Sequence, residues 1–134
     1  MKKLALVFML SASVSLLALN LNLHIYGIDK SQKGQLIVKL FKQGMSFPDE
    51  IKPFKVDKLP VNRDEVILNY RLKKGEYAIS SIHDSNRNGK EDSGFLIFGG
   101  EGYGYSNNYK FFPSFKKSQI NVNTDTTIKI RMNY

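Results

Sequence analysis

Four oxygen-bearing side chains recur within one short stretch, Asp84, Asn86, Asn88 and Asp92, with Gly89 among them. Counted from Asp84, the oxygens stand at relative positions 1, 3, 5 and 9 and the glycine at 6. That is the front of a calcium loop of EF-hand type, in which alternate residues of a curled segment point inward and glycine permits the sharp turn. The backbone carbonyl of Lys90 would serve as a further ligand. The back half departs from the pattern, because Phe95 stands where such a loop places a bidentate acid, so Glu91 or Glu101 would have to complete the shell. Two carboxylates at fixed positions imply a dissociation constant on the order of 10⁻⁴ to 10⁻³ M, as in extracellular calcium modules. The same residues also close turns without any metal, and Asn88-Gly89 is a common tight-turn pair, so both readings stand.

The stretch continues into a second unusual segment. Six of the ten glycines fall between Gly89 and Gly104, and eight of the sixteen Phe and Tyr residues fall between Phe95 and Phe115. Aromatic side chains at that density want burial or a ligand. Glu101, Tyr103, Tyr105, Asn107 and Asn108 could stack on and hydrogen-bond a sugar or a peptide of the cell envelope. Equally, the tyrosines could pack the loop down and the asparagines close turns.

Nucleophilic and zinc chemistry find little support. The chain has no cysteine and two histidines, His24 and His83. Two histidines without a clustered third ligand make a poor zinc set. There is no Gly-x-Ser-x-Gly elbow. His83 abuts Asp84, and a hydrolase of envelope polymers using His83 and loop acids is the alternative to a non-catalytic binding module. A purely structural envelope protein is a third reading. No catalytic residue is assigned.

The elements that must hold these residues read as strands. Leu21, Leu23 and Ile25 alternate with polar residues, as do Leu36, Val38 and Leu40, with Ile37 breaking the pattern. Val66, Leu68, Tyr70 and Leu72 share a face, and Ile128, Ile130, Met132 and Tyr134 share another. Turn signals at Lys33-Gly34, Phe47-Pro48, Leu59-Pro60, Lys74-Gly75 and Asn88-Gly89 separate them. The pattern predicts an all-β antiparallel β-sandwich of about seven strands, near 20–28, 34–41, 53–57, 64–72, 76–83, 118–123 and 126–133. Ser46 to Lys52 could form one helical turn. Residues 84–117 are left as one long loop, a length that usually signals function.

The first 18 residues have the layout of a secretory signal: Lys2 and Lys3, an apolar run from Leu4 to Leu10, then a stretch rich in small residues. Cleavage after Ser15 or after Ala18 would suit it. Serines at 11, 13 and 15 interrupt the apolar stretch and argue against an uncleaved anchor. The expected organisation is a signal peptide over 1–18 and one sandwich domain over 19–134, periplasmic or secreted and not embedded in a membrane after cleavage. The chain carries 20 basic and 12 acidic residues. The positive charge is dispersed and no arginine-rich helix appears, which speaks against nucleic acid as a partner.

Gly75-Glu76-Tyr77-Ala78-Ile79, then His83-Asp84-x-Asn86-x-Asn88-Gly89, then Glu101-Gly102-Tyr103-Gly104-Tyr105-Ser106-Asn107-Asn108 together resemble the signature of the bacterial DUF2141 family. The strand from Gly34 to Phe41 and the later Pro113-Ser114-Phe115 fit it too. The resemblance implies a small exported protein with a transthyretin-like or immunoglobulin-like sandwich, and it carries no assigned activity. Where members often have a short Gly-x-Pro step, this chain has Leu96-Ile97-Phe98-Gly99-Gly100.

Overall fold

The computed structural model describes residues 17–87 and 101–134. The signal-like segment up to Leu16 lies outside the described residues. Eight strands form two sheets: β1 (Ala18–Tyr26), β2 (Gln35–Lys42), β3 (Lys55–Pro60), β4 (Glu65–Lys73), β5 (Gly75–Asp84), β6 (Tyr103–Tyr105), β7 (Ile120–Val122) and β8 (Thr126–Arg131). One sheet has the order β4-β1-β8 and the other β3-β2-β5-β6, with β7 also pairing β5. A single helical turn, α1 (Phe115–Ser118), precedes β7. The all-β sandwich read from the alternation is therefore the architecture.

Two details differ from the sequence reading. Among the described residues the strand count is eight, because Tyr103–Tyr105 pairs with Ser80–Ile82 inside the segment read as loop. Three residues are too few to show a period. Also, β1 and β8 run parallel, in register Leu23↔Ile128 and Ile25↔Ile130, while the other pairings are antiparallel. Residues 46–52 form turns, with the Glu50 N–H donating to the Ser46 carbonyl at 2.7 Å.

The core lies where the period-two stripes meet. Leu21, Leu23 and Ile25 of β1, Leu36, Val38 and Leu40 of β2, Tyr70 and Leu72 of β4, Tyr77 and Ile79 of β5, and Ile130 and Met132 form one buried cluster. Truncating one of its fully buried leucines to alanine should remove about 2–5 kcal/mol. The β3-β2-β5 sheet is buried on its other face as well. Ile37, Phe41, Ala78 and Ile82 are all buried there, and Phe47 wedges edge-on against both Phe41 and Tyr105, with centroids 4.8 and 5.8 Å away. This second apolar face is why Ile37 breaks the alternation and why β5 is buried without interruption from Tyr77 to Asp84.

Candidate functional site

Of the singled-out residues, His83 and Asp84 end β5, Asn86 lies in the turn after it, and Tyr103 and Tyr105 pair alongside it. Glycine sets the geometry there. Gly34 opens β2 with φ of +77°, and a Cβ on it would run into the Asp84 carbonyl and Ser85 main chain. β2 and the end of β5 can thus approach closely only because residue 34 has no side chain. The turn after Asp84 closes with the Arg87 N–H on the Asp84 carbonyl, and the Arg87 guanidinium donates to the Gly34 carbonyl at 3.2 Å.

His83 sits at this junction with no exposed surface. Its Nε2 lies 2.5 Å from the Lys33 carbonyl, which can only accept, so the proton is on Nε2. Nδ1 lies 2.7 Å from the Tyr134 hydroxyl. That hydroxyl accepts from the Asp29 N–H at 2.8 Å and so donates to Nδ1. Burial pushes the Tyr134 hydroxyl above the usual tyrosine range, helped by the nearby Asp29 carboxylate. Asp29 itself is held below the usual carboxylate range, first by the Ser31 hydroxyl and then by the Gln32 amide, which donate to it at 2.6 and 2.9 Å. Both ring nitrogens of His83 are therefore committed to tying the β1–β2 connection to the C-terminus. A hydrolase finds no exposed base at this residue.

The candidate calcium ligands are only partly within view. Asp84 is fully buried and its Oδ2 accepts from the Gln35 amide at 2.8 Å. Asn86 is exposed on the turn. Asn88, Lys90, Glu91 and Asp92 lie outside the described residues. Glu101 is half-buried, just before β6. Among the described residues no three of His, Cys, Asp and Glu cluster to hold a metal ion.

The aromatic–asparagine segment is used heavily by the fold. Tyr105 is buried and Tyr103 half-buried on β6. Asn107 and Asn108 take positive φ, 64° and 54°. The Asn107 amide donates to the carbonyls of Lys117 and Gln119, at 3.0 and 2.9 Å. Asn108 Oδ1 accepts the Arg131 N–H of β8 at 2.9 Å. The buried Ser106 hydroxyl accepts from the Ile79 N–H at 3.0 Å and donates to the Ser118 carbonyl. The result is a clamp, and beyond it the chain presents three exposed rings: Tyr109, Phe111 and Phe112, the last two each 69% exposed. Lys110, Lys116 and Lys117 are exposed around them, and the Lys117 ammonium lies 5.6 Å from the Tyr109 ring centre.

Asp29 and Tyr134 carry no site role in the sequence reading, and Ser106 enters it only as part of the Glu101–Asn108 motif. A signal existed for Tyr134: it ends an inward stripe of Ile128, Ile130 and Met132, and an inward tyrosine needs a hydroxyl partner. Nothing comparable marks Asp29.

No curated protein and no solved structure matches the chain. One family model does, over residues 24–130, which includes every residue of the described site except Arg131 and Tyr134. The chain thus belongs to the family described as uncharacterized protein conserved in bacteria, DUF2141.

Proposed function

We propose that the protein is an exported, non-catalytic binding module that holds an anionic glycan of the cell envelope against the exposed rings of Tyr109, Phe111 and Phe112. The observation that carries this reading is the adjacent pair Phe111 and Phe112, each 69% exposed, beside exposed Lys110, Lys116 and Lys117. Two adjacent exposed rings make a contiguous apolar patch, and such patches mark interaction sites where lone exposed side chains do not. Rings stack on sugar faces, and lysines supply long-range attraction to an anionic polymer. The clamp made by Ser106, Asn107 and Asn108 supports a preformed surface, which lowers the entropy lost on binding. Tyr103, buried Tyr105 and the two asparagines then act by positioning the rings.

Two further parts belong to the same proposal. Export follows from the layout of residues 1–18, and cleavage after Ser15 would leave β1 whole, since Ala18 already pairs with Lys73. Calcium would order the connection that starts at Asp84, a reading supported by the oxygen spacing in the sequence.

Binding is tested with purified peptidoglycan sacculi and with an anionic polysaccharide as the probes. Phe111→Ser/Phe112→Ser should lower affinity by about tenfold or more while leaving the melting temperature within a few degrees. Equal binding by variant and parent, or none by the parent, sinks the proposal. For calcium, thermal unfolding with about 5 mM of the ion and then with excess chelator should differ by several degrees, because five times Kd stabilises by about 1 kcal/mol. Identical curves remove the metal from the reading and leave the rings untouched.

A further inference from the structure

Among the described residues the two sheets have four edges, and they are treated differently. The β8 edge is covered: Asn108 accepts the Arg131 N–H, and Tyr103 exchanges hydrogen bonds with Asn133 at 2.9 and 2.8 Å. β6 and β7 both lie along the far side of β5. The β3 edge is short, carries Lys55 and Lys58 and ends in Pro60, devices that deter pairing. β4 differs from the other three. It is a regular nine-residue strand, Glu65–Lys73, and among the described residues nothing pairs with its outer side.

Hydrogen-bond parity shows which groups that edge offers. The Tyr26 carbonyl accepts from the Met132 N–H and the Asn20 N–H donates to Asp125, so even-numbered residues of β1 face β8. Main-chain groups alternate sides along a strand, so the odd-numbered ones face β4. Their antiparallel partners are Val66, Leu68, Tyr70 and Leu72. It follows that Glu65, Ile67, Asn69 and Arg71 turn their N–H and C=O groups outward. Lys73 would do the same, but its carbonyl already accepts from the Tyr77 hydroxyl.

The sequence on this edge is complementary to itself. In an antiparallel pairing of two copies centred on Asn69, Asn69 meets Asn69, Ile67 meets Arg71, and Glu65 meets Lys73. Each meeting joins residues of the outward-facing parity. The exposed Ile67, 59% open to solvent, would lie along the aliphatic stem of Arg71. On the inner face the half-buried Val66 and Leu68 would meet Leu72 and Tyr70 and lose their remaining exposure. Opposite charges would close both ends of the ladder, with Glu65 reaching Lys73 while its Oε2 also meets His24 Nε2 at 2.8 Å.

We infer that the outer edge of β4 is a homodimer interface, joining the three-stranded sheets of two copies into one continuous six-stranded sheet about a two-fold axis at Asn69. The occupant is a second copy of this chain, because the charge order Glu65…Lys73 matches its own reversal and this register alone pairs all nine residues of the strand; a one-pair slip that sets Glu65 opposite Arg71 keeps opposite charges but leaves Lys73 beyond the ladder, and the slip the other way leaves Glu65 beyond it.

Sedimentation equilibrium of the full chain, purified as a bacterial host delivers it, tests the pairing. A reversible dimer is expected. Glu65→Lys and Lys73→Glu each place like charges opposite one another twice, once on either side of the axis, and each should weaken dimerisation by about thirtyfold. The double variant exchanges the two charges and should return to within about threefold of the parent. Asn69→Pro removes an N–H that only the dimer uses, and should give a folded monomer with an unchanged circular dichroism spectrum. A parent that stays monomeric into the near-millimolar range overturns the inference. So does a dimer indifferent to both single charge changes, or a double variant no better than the singles.

Discussion

The Tyr134 hydroxyl and Nδ1 of His83 lie 2.7 Å apart across 51 residues of sequence, and this one bond joins the last residue of the chain to the end of β5. Because the hydroxyl also receives the Asp29 N–H, its removal strands two groups at once. Tyr134→Phe keeps the ring and deletes the oxygen, leaving Nδ1 inside a residue with no exposed surface. Destabilisation of about 1–3 kcal/mol is expected, read from the midpoint of urea unfolding. An unchanged midpoint would mean that water replaces the hydroxyl and that the His83 junction is not tied to the C-terminus.

Gly34 and Gly44 both take positive φ, +77° and +90°, yet they should respond differently to alanine. At Gly44 a Cβ meets nothing within 4 Å, so Gly44→Ala carries only the backbone strain, about 1–2 kcal/mol. At Gly34 the same strain is joined by collision with the main chain of Asp84 and Ser85. Gly34→Ala should lose about 2–5 kcal/mol, since the obstacle is backbone and cannot rotate away. Parallel chemical denaturation of the two variants checks the ordering. Equal losses would show that β2 and β5 separate at this end without penalty.

Ser106 ties strand β5 to the helical turn. Its hydroxyl takes the Ile79 N–H of β5 and gives its proton to the Ser118 carbonyl at the end of α1. Ser106→Ala should destabilise by about 1–3 kcal/mol and raise amide exchange around Ser106–Ser118 before the β1–β4 pair is affected. Hydrogen exchange read by mass spectrometry separates this from uniform loosening. A uniform rise would place Ser106 in the global core and remove the clamp that holds the exposed rings.

The fold was largely legible because its stripes obey a period of two, as in Leu21-Leu23-Ile25 and Ile128-Ile130-Met132. The family was legible from the spaced motifs around His83 and Glu101. The segment 101–118 was harder. Its structure is three residues of β6, positive-φ asparagines and one turn of α1, all shorter than any period they could show. The parallel β1–β8 pairing left no local signal either, because alternation records which face is buried and not the direction of the neighbour. His83 looked like chemistry because histidine beside aspartate often is. Its actual partners, a carbonyl at Lys33 and a hydroxyl at Tyr134, are distant in sequence and of kinds that sequence spacing does not flag.

Tyr70 should make the protein sensitive to alkali in a way that can be isolated. It is nearly buried, 5% exposed, on the inner face of β4, and its hydroxyl donates to Asp57 Oδ2 at 2.6 Å. Burial first, and then the Asp57 carboxylate, hold the phenol well above the usual tyrosine range. The folded state therefore keeps the proton while an unfolded tyrosine gives it up near pH 10. A raised folded pKa gives stability that is complete below the unfolded value and is lost as pH climbs through the window above it. Between pH 10 and the folded value the loss approaches about 1.4 kcal/mol per pH unit for this one group. Tyr77 and Tyr134 are also raised by burial, so the parent's total slope is steeper still. Tyr70→Phe leaves those two in place and lets the difference report on Tyr70 alone. The variant should be the less stable protein at pH 8, by about 1–2 kcal/mol for the lost bond to a charged acceptor, and should then decline more slowly above pH 10. The two stability curves should converge as pH rises toward 11.5. Guanidinium midpoints measured from pH 8 upward decide it: parallel declines would mean that Tyr70 titrates alike in both states and that the Asp57 contact opens before the fold does.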